Sequence, residues 1–230
     1  MTKGKIAVLS DFDGTIVNVD TGVLILERFA KEDWQAYDVK LEREEISVEE
    51  CLTSQFGMIK VSKEEILAML SREPIQVRPN FRELIGFCKS NDFPFTIVTG
   101  GIDFCVESVL RSGGFGNGTL NIHCGKSEAS EEGLKIIFPE RFKVDSLNFK
   151  QDLVNHLHDL EYNVVYIGDG NSDYEAARKA DLVFSIKGSS LSKMCEKKNI
   201  LHIDFLDFIE VISGIKSWNR LMPGKTNLLA

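Results

Sequence analysis

The chain has 230 residues, 43% hydrophobic and 27% charged, enough for a large buried core in one domain or in one domain carrying an insertion. Its formal net charge of −8 excludes a general nucleic-acid or membrane-surface binder, whose binding face is normally basic. Five widely spaced cysteines with no C-x-x-C pair argue against a disulfide framework or a zinc site and for reduced thiols.

The opening "MTKGKIAVLSD" has a basic flank, but its apolar run Ile6–Leu9 is too short for a signal peptide. No apolar window approaches a membrane span. The expected protein is soluble and cytoplasmic, with no nucleic-acid or membrane partner; its oligomeric state stays open.

Ile6-Ala7-Val8-Leu9 reads as a strand buried on both faces. From about Thr21 to Glu73 the pattern is helical, in four pieces. Thr21 is expected to cap "GVLILERFAK", and "EDWQAYDVKLEREE" follows. Ser47 with Glu50, and Ser62 with Glu65, form two capping boxes that open the third and fourth helices. After Arg78-Pro79-Asn80 the rhythm becomes helix "FRELIGFCKSN", strand "PFTIV" and helix "IDFCVESVLRSG". Between Gly113 and about Asn148, "TLNIHC" and "LKIIF" are expected to form a short hairpin. Then come helix "KQDLVNHLHDL", strand "NVVYIG", helix "DYEAARKA", strand "LVFSI", helix "SLSKMCEKKN", strand "ILHI" and helix "FLDFIEVISGI", with a loose tail from Lys216.

Strands alternating with helices of this size predict an α/β fold: a Rossmann-like, doubly wound parallel sheet interrupted after its first strand by an all-helical insertion. The core is assigned to residues 1–15 and 79–230, and the insertion to 16–78.

In an open α/β sheet, ligands bind beyond the carboxyl ends of the strands. The first strand ends in Asp11, Asp13, Gly14 and Thr15; the second in Thr99-Gly100-Gly101; a later one in Gly168-Asp169-Gly170-Asn171-Ser172-Asp173. Lys150 opens the helix before that later strand. Asp11 and Asp169 are hard oxygen ligands suited to Mg²⁺. Thr99, with the Gly100 and Gly101 amides at a helix N-terminus, can hydrogen-bond a phosphate. Lys150 would offset the negative charge gathered where carboxylate meets phosphate. A carboxylate of this kind can attack phosphorus, which splits one hard displacement into two easier ones. Asp11 and Asp13, at i and i+2 of an extended segment, can reach the same substrate.

"DFDGTI", "TIVTGG", Lys150 and "IGDGNSD" together resemble the four motifs of the haloacid dehalogenase superfamily of phosphohydrolases, in family order and over almost the whole chain. The inserted helices correspond to that family's cap of the first type. The resemblance implies that Asp11 is the nucleophile and a metal ligand. It implies that Asp13 protonates the leaving oxygen, later activates water, and lends its backbone carbonyl to the metal. Thr99 and Gly100 would hold the transferring phosphoryl group, Lys150 would stabilise it, and Asp169 would ligate Mg²⁺. Asp173 would orient Lys150 or a metal-bound water. Dehalogenases of the superfamily lack the second aspartate, so Asp13 favours phosphate esters.

"FGMIKVSKEEI", "FRELIGFCKSNDFPFTIVTGGIDFCVESVL" and the Lys150-to-Asp169 spacing are similar to the phosphoserine-phosphatase-like branch, and within it to the methionine-salvage phosphatases that act on an enol phosphate. Where those carry a cysteine cluster, residues 113–149 hold Cys124 alone. The expected function is Mg²⁺-dependent hydrolysis of a small phosphorylated metabolite through an aspartyl-phosphate. The alternatives are phosphoserine or another small-molecule monoester as substrate, a phosphotransferase in the same fold, and a non-catalytic receiver-like phosphate-binding module.

Each feature also has a plainer reading. A lone D-x-D can be a turn or an N-cap, and Gly100, Gly101, Gly168 and Gly170 can be turn glycines. His123, His156, His158 and His202 lack metal spacing and read as structural or surface groups. Phe29, Trp34, Phe56 and Met58 read as core of the helical module, and Glu27, Lys40 and Arg43 as solvated faces.

Overall fold

Strand β1 (Lys5–Ser10) is buried at every position after Lys5, as a continuous apolar run in a sheet covered on both faces must be. This computed structural model describes residues 5–116, 118, 120–130, 133–143 and 145–221. Four helices follow β1: α1 (Thr21–Phe29), α2 (Gln35–Glu42), α3 (Val48–Phe56) and α4 (Lys63–Leu70). The chain then runs through α5 (Phe81–Ser90), β2 (Phe95–Thr99), α6 (Asp103–Ser112), β3 (Asn121–Cys124), β4 (Lys126–Ser130) and β5 (Gly133–Ile137). The last part is α7 (Phe149–Asp159), β6 (Tyr162–Gly168), α8 (Tyr174–Ala177), β7 (Leu182–Ile186), α9 (Ser190–Lys198), β8 (Ile203–Phe205) and α10 (Phe208–Leu221).

Six strands make one sheet in the order β3-β2-β1-β6-β7-β8, and each neighbouring pair is parallel. This is the Rossmann-like doubly wound sheet that the strand–helix alternation predicts. The strand order reverses beside β1, which places the end of β1 at the topological switch point where such sheets bind ligands.

The period of two along β1 and β6 divides the core. Ile6, Val8, Val165 and Ile167 face one side, with Phe81 and Leu84 of α5 and Phe208 and Val211 of α10. Leu9, Val164 and Tyr166 face the other, with Phe149 and Val154 of α7 and Leu191 of α9. The inserted helices share a third cluster with the sheet domain. Ile25, Leu26, Phe56, Ile66 and Leu70 pack with Ile102, Phe104 and Cys105 around the start of α6 and with Leu134 and Ile136 of β5. Phe56 is core there, and Phe29 and Trp34 pack against the cluster from partly buried positions.

Both capping boxes form as the sequence indicates, Ser47 with Glu50 and Ser62 with Glu65. Four expectations are corrected. Asp20, not Thr21, caps α1: its carboxylate accepts from the Val23 N–H at 2.8 Å, and Thr21 turns its polar atoms toward Asp13. The described part of "TLNIHC", from Leu120 on, does not pair with "LKIIF", and Thr119 lies outside the described residues. Instead β3 runs parallel to β2, and the hairpin is β4 with β5. Gly125 makes that handover, because a Cβ there would lie 2.3 Å from Ile136 Cγ2. The tail from Lys216 is helical as far as Leu221, with Trp218 packed on the first core cluster; the chain beyond Leu221 lies outside the described residues. The helix "EDWQAYDVKLEREE" is shortened to α2 and ends near Glu44, whose φ of 58° is left-handed.

All five cysteines are free and buried. No helix among the described residues is long and apolar enough to cross a membrane. His158 meets Asp181 at 2.9 Å and His202 meets Asp204 at 3.5 Å, while His156 stacks on Phe142. Their partners lie away from the strand-end cleft.

Candidate active site

The Asp11 N–H donates to the Ile167 carbonyl at 2.8 Å, which extends the β1–β6 ladder one residue past β1 and fixes the backbone under the first carboxylate. Asp11 as a whole is 6% exposed. Its Oδ1 accepts from Lys150 Nζ at 2.9 Å. Lys150 is the second residue of α7 and is itself 1% exposed. Its ammonium also donates to Asp173 Oδ1 at 2.6 Å and to Ser172 Oγ at 3.2 Å.

Asp173 is fully buried, and both its oxygens are engaged. Oδ1 also takes the Tyr166 hydroxyl at 2.7 Å; Oδ2 takes the Asp169 N–H at 3.0 Å and the Gly170 N–H at 2.9 Å. This one carboxylate folds the loop that follows β6 and aims Lys150. A Cβ at Gly168 would sit 2.6 Å from Asp173 Oδ2, so a glycine is required for that close approach.

Asp169 Oδ1 accepts from Thr15 Oγ1 at 2.7 Å. The turn bearing Thr15 is held from below by Arg78, which donates to the Thr15 and Gly14 carbonyls, each at 2.9 Å. Gly14 has φ +70°, and a Cβ there would lie 2.3 Å from Asp169 Oδ2. Asp13 Oδ1 accepts two bonds from Thr21, from N–H at 2.8 Å and from Oγ1 at 2.7 Å. Thr99 Oγ1 accepts from the Gly101 N–H at 3.0 Å, which leaves its own hydroxyl proton to donate elsewhere. The Gly101 amide is therefore spent on Thr99 rather than open to a ligand, while Gly101 closely approaches Asp13. Asn171 sits exposed at the lip of the cleft.

The structure thus brings Asp11, Asp13, Gly14, Thr15, Thr99, Gly100, Gly101, Lys150, Asp169, Asn171 and Asp173 to the carboxyl ends of β1, β2 and β6. Sequence reasoning missed Thr21, Arg78 and Tyr166. Thr21 stands next to a better N-cap. Arg78 is a single basic residue at the return from the inserted helices. Tyr166 reads as one more aromatic in a buried strand.

Crowding of acids in a dry site raises their proton affinity. Burial pushes Asp13 up to about 7; Asp20 adds to the rise, and the Thr21 hydrogen bonds pull it back. Burial, then the charge of Asp173, lifts Asp169 to about 6. Burial likewise lifts Asp11, with Asp173 adding and Lys150 opposing. Burial disfavours the charged form of Lys150, yet Asp11 and Asp173 outweigh it and hold the ammonium charged.

Carboxylate oxygens of Asp11, Asp169 and Asp173 lie within 4.8 Å of one another. Asp173 is committed to Lys150, Tyr166 and two amides, whereas the Oδ2 atoms of Asp11 and Asp169 take no hydrogen bond among the described residues. Two free hard oxygens in a site with excess negative charge suit a small divalent cation.

Above these residues is a cleft of about 1010 Å³, roofed by α1, α2 and α3. Leu26, Trp34, Leu52, Phe56 and Met194 supply apolar wall, and Asp20, Asp38 and Glu42 add acid. Among its described lining residues Lys150 is the one basic side chain.

The family model for haloacid dehalogenase-like hydrolases matches residues 8–178. The chain is 32% identical over 224 residues to a 2-hydroxy-3-keto-5-methylthiopentenyl-1-phosphate phosphatase of Geobacillus kaustophilus, covering 94% of this chain and 97% of that one. It is 29% identical over 217 residues to the protein of that name from Bacillus velezensis, covering 91% and 89%. In fold it is similar to a phosphoserine phosphatase solved as an analogue of its phospho-aspartyl intermediate, with TM-score 0.68 at 20% identity over 92% of this chain and 99% of that one. A phosphoserine phosphatase from T. onnurineus gives TM-score 0.63 at 17% identity over 93% and 95%. Family model, relatives and fold agree with the strand-end carboxylates: the chain belongs to the haloacid dehalogenase-like hydrolases and is a phosphoric monoester hydrolase.

Proposed function

We propose that the chain hydrolyses a small, otherwise uncharged phosphorylated metabolite, the methionine-salvage enol phosphate 2-hydroxy-3-keto-5-methylthiopentenyl-1-phosphate, through a phosphoryl group carried on Asp11. The observation that carries the chemistry is the pairing of a buried Asp11 carboxylate with Lys150 Nζ at 2.9 Å, beside an Asp13 whose burial pushes its carboxyl up to about 7. An acid–base group works best when its pKa lies near the working pH.

The Asp11 carboxylate attacks phosphorus, an Asp11 O–P bond forms, and the bond to the leaving oxygen breaks. Asp13 delivers its proton to that oxygen, then accepts a proton from the water that attacks phosphorus in the second step. The Asp11 O–P bond breaks, inorganic phosphate leaves, and Asp11 is regenerated. Throughout, Lys150 balances charge on Asp11 and the phosphoryl oxygens, and the Thr99 hydroxyl with the Gly100 amide hydrogen-bonds them. Asp11 and Asp169 would hold Mg²⁺, with the Asp13 carbonyl as a further ligand. When bound, Mg²⁺ supplies positive charge that draws phosphate oxygens toward Asp11 and offsets their repulsion. Residues 16–78 act as the cap over the cleft, limiting bulk water during the first step.

The substrate assignment rests on the relatives' names and on charge. Phosphoserine carries a carboxylate that a cation would favour, and among the described lining residues of the cleft the one basic side chain is already paired with Asp11 and Asp173. A methylthio chain asks only for apolar wall, which Leu26, Trp34, Leu52, Phe56 and Met194 offer. The likeness in fold to phosphoserine phosphatases keeps phosphoserine as the second reading. Phosphate release with Mg²⁺ from the enol phosphate, phosphoserine and a plain aryl phosphate separates them. The proposal expects the enol phosphate to have the highest kcat/KM; a higher value for phosphoserine would reverse it. Stoichiometric release of phosphate, rather than its transfer to a hydroxyl acceptor, rules out the phosphotransferase alternative.

A further inference from the structure

Glu49 lies in the first turn of α3, in the inserted helices, yet its side chain reaches the other wall of the cleft. Its Oε1 accepts from the N–H of Phe149, the first residue of α7, at 2.9 Å and from Arg141 Nη2 at 2.8 Å. Arg141 in turn donates to the Ser146 and Leu147 carbonyls, so it binds the loop entering α7. Asp152 ties that loop to α7 as well, accepting from the Phe142 and Lys143 N–H groups and from Ser146 Oγ. The loop before α7 is thus tied to the helix at several points, and Lys150 follows Phe149 directly.

A carboxylate is favourable at a helix N-terminus, where free N–H groups and the dipole meet it. Here the carboxylate comes from a separate part of the fold. Its second oxygen, Oε2, is buried and takes no hydrogen bond among the described residues. A dry, unsatisfied carboxylate oxygen is costly, and from the first turn of α3 the side chain could have stayed in water. The contact is therefore held by Oε1 and opposed by Oε2, which would regain water if α3 moved away from α7. That balance suits a contact that must be made and broken in each cycle.

We propose that Glu49 is a positioning residue: when the inserted helices close, its carboxylate seats on the N-terminus of α7 and holds the Lys150 ammonium against Asp11. This rests on the reading above that Asp11 and Lys150 carry the reaction. Loss of the contact leaves the cleft intact but sets Lys150 less accurately, so it acts on kcat rather than on binding.

The test is steady-state kinetics of the full chain with Mg²⁺ and an aryl phosphate. Glu49→Ala and Arg141→Met are expected to lower kcat about tenfold or more, as small misplacement of a catalytic group does, with KM nearly unchanged. Glu49→Gln, which keeps an oxygen for the Phe149 N–H, should recover part of the loss. Glu65→Ala removes the capping box of α4 on the far side of the insertion and should lower Tm without lowering kcat. The inference is overturned if Glu49→Ala keeps wild-type kcat, or if Glu65→Ala loses kcat as far as Glu49→Ala does. Should Glu49→Ala not fold, Glu49→Gln and Arg141→Met decide in the same way. Lys150→Met separates the two claims. An active Lys150→Met defeats the catalytic reading itself, whereas an inactive one beside a fully active Glu49→Ala defeats only the positioning role.

Discussion

Thr21 gives both its polar hydrogens to one oxygen of Asp13, from the backbone at 2.8 Å and from the hydroxyl at 2.7 Å. The first residue of α1 therefore anchors the second carboxylate of the strand-end pair and leaves its other oxygen toward the cleft. It also joins the inserted helices to the chemistry: Asp13 is aimed only when α1 is in place.

Thr21→Val keeps shape and removes the hydroxyl donor. A hydrogen bond to a charged group is worth about 1.5–3 kcal/mol, so kcat should fall about tenfold or more, each factor of ten being ~1.4 kcal/mol. The backbone donor remains, so the loss should be smaller than that of Asp13→Asn. Kinetics of the two variants with an aryl phosphate check the order.

Metal-free protein should lose stability as the pH rises. Asp13 is raised to about 7 and Asp169 to about 6 from the ordinary 3.8, so the folded state holds these protons more tightly than the unfolded one. Their contribution is full below the ordinary value and is lost as the pH climbs through 6 and 7. In EDTA, the urea midpoint of wild type should drop more steeply between pH 5 and 8 than that of Asp13→Asn. Mg²⁺ should flatten the wild-type curve, since the cation replaces the protons. Parallel curves in EDTA would mean that the carboxylates are not crowded as described.

Gly14→Ala tests how tightly the turn after β1 is packed. The left-handed φ of +70° costs a non-glycine residue about 1–2 kcal/mol, and the new methyl would meet Asp169 Oδ2. The variant should melt at a lower temperature and need more Mg²⁺ for half-maximal activity. A Mg²⁺ titration of activity beside a thermal melt reads both.

The strand-end residues were legible because each motif is local: a carboxylate, hydroxyl or lysine at the end of a recognisable strand or the start of a helix. Thr21 and Arg78 were not, because their roles arise where the chain enters and leaves the inserted helices. Asp20 and Thr21 are both good N-caps side by side, and only packing decides which is used. "KSEAS" has no apolar alternation and so gives no strand signal for β4, which leaves "TLNIHC" as the apparent partner of "LKIIF" in the sequence pattern. α10 reaches Leu221 because Trp218 extends the apolar stripe of Val211 and Ile215, past the polar Lys216 where the sequence pattern weakens.

The central claim is that Asp11 takes the phosphoryl group. Rapid quenching of wild-type protein during turnover, followed by mass spectrometry of the peptide holding Asp11 and Asp13, tests it directly. The account predicts phosphate on Asp11, and neither adduct nor turnover in Asp11→Asn. Turnover retained by Asp11→Asn, or phosphate found on another residue, would contradict it.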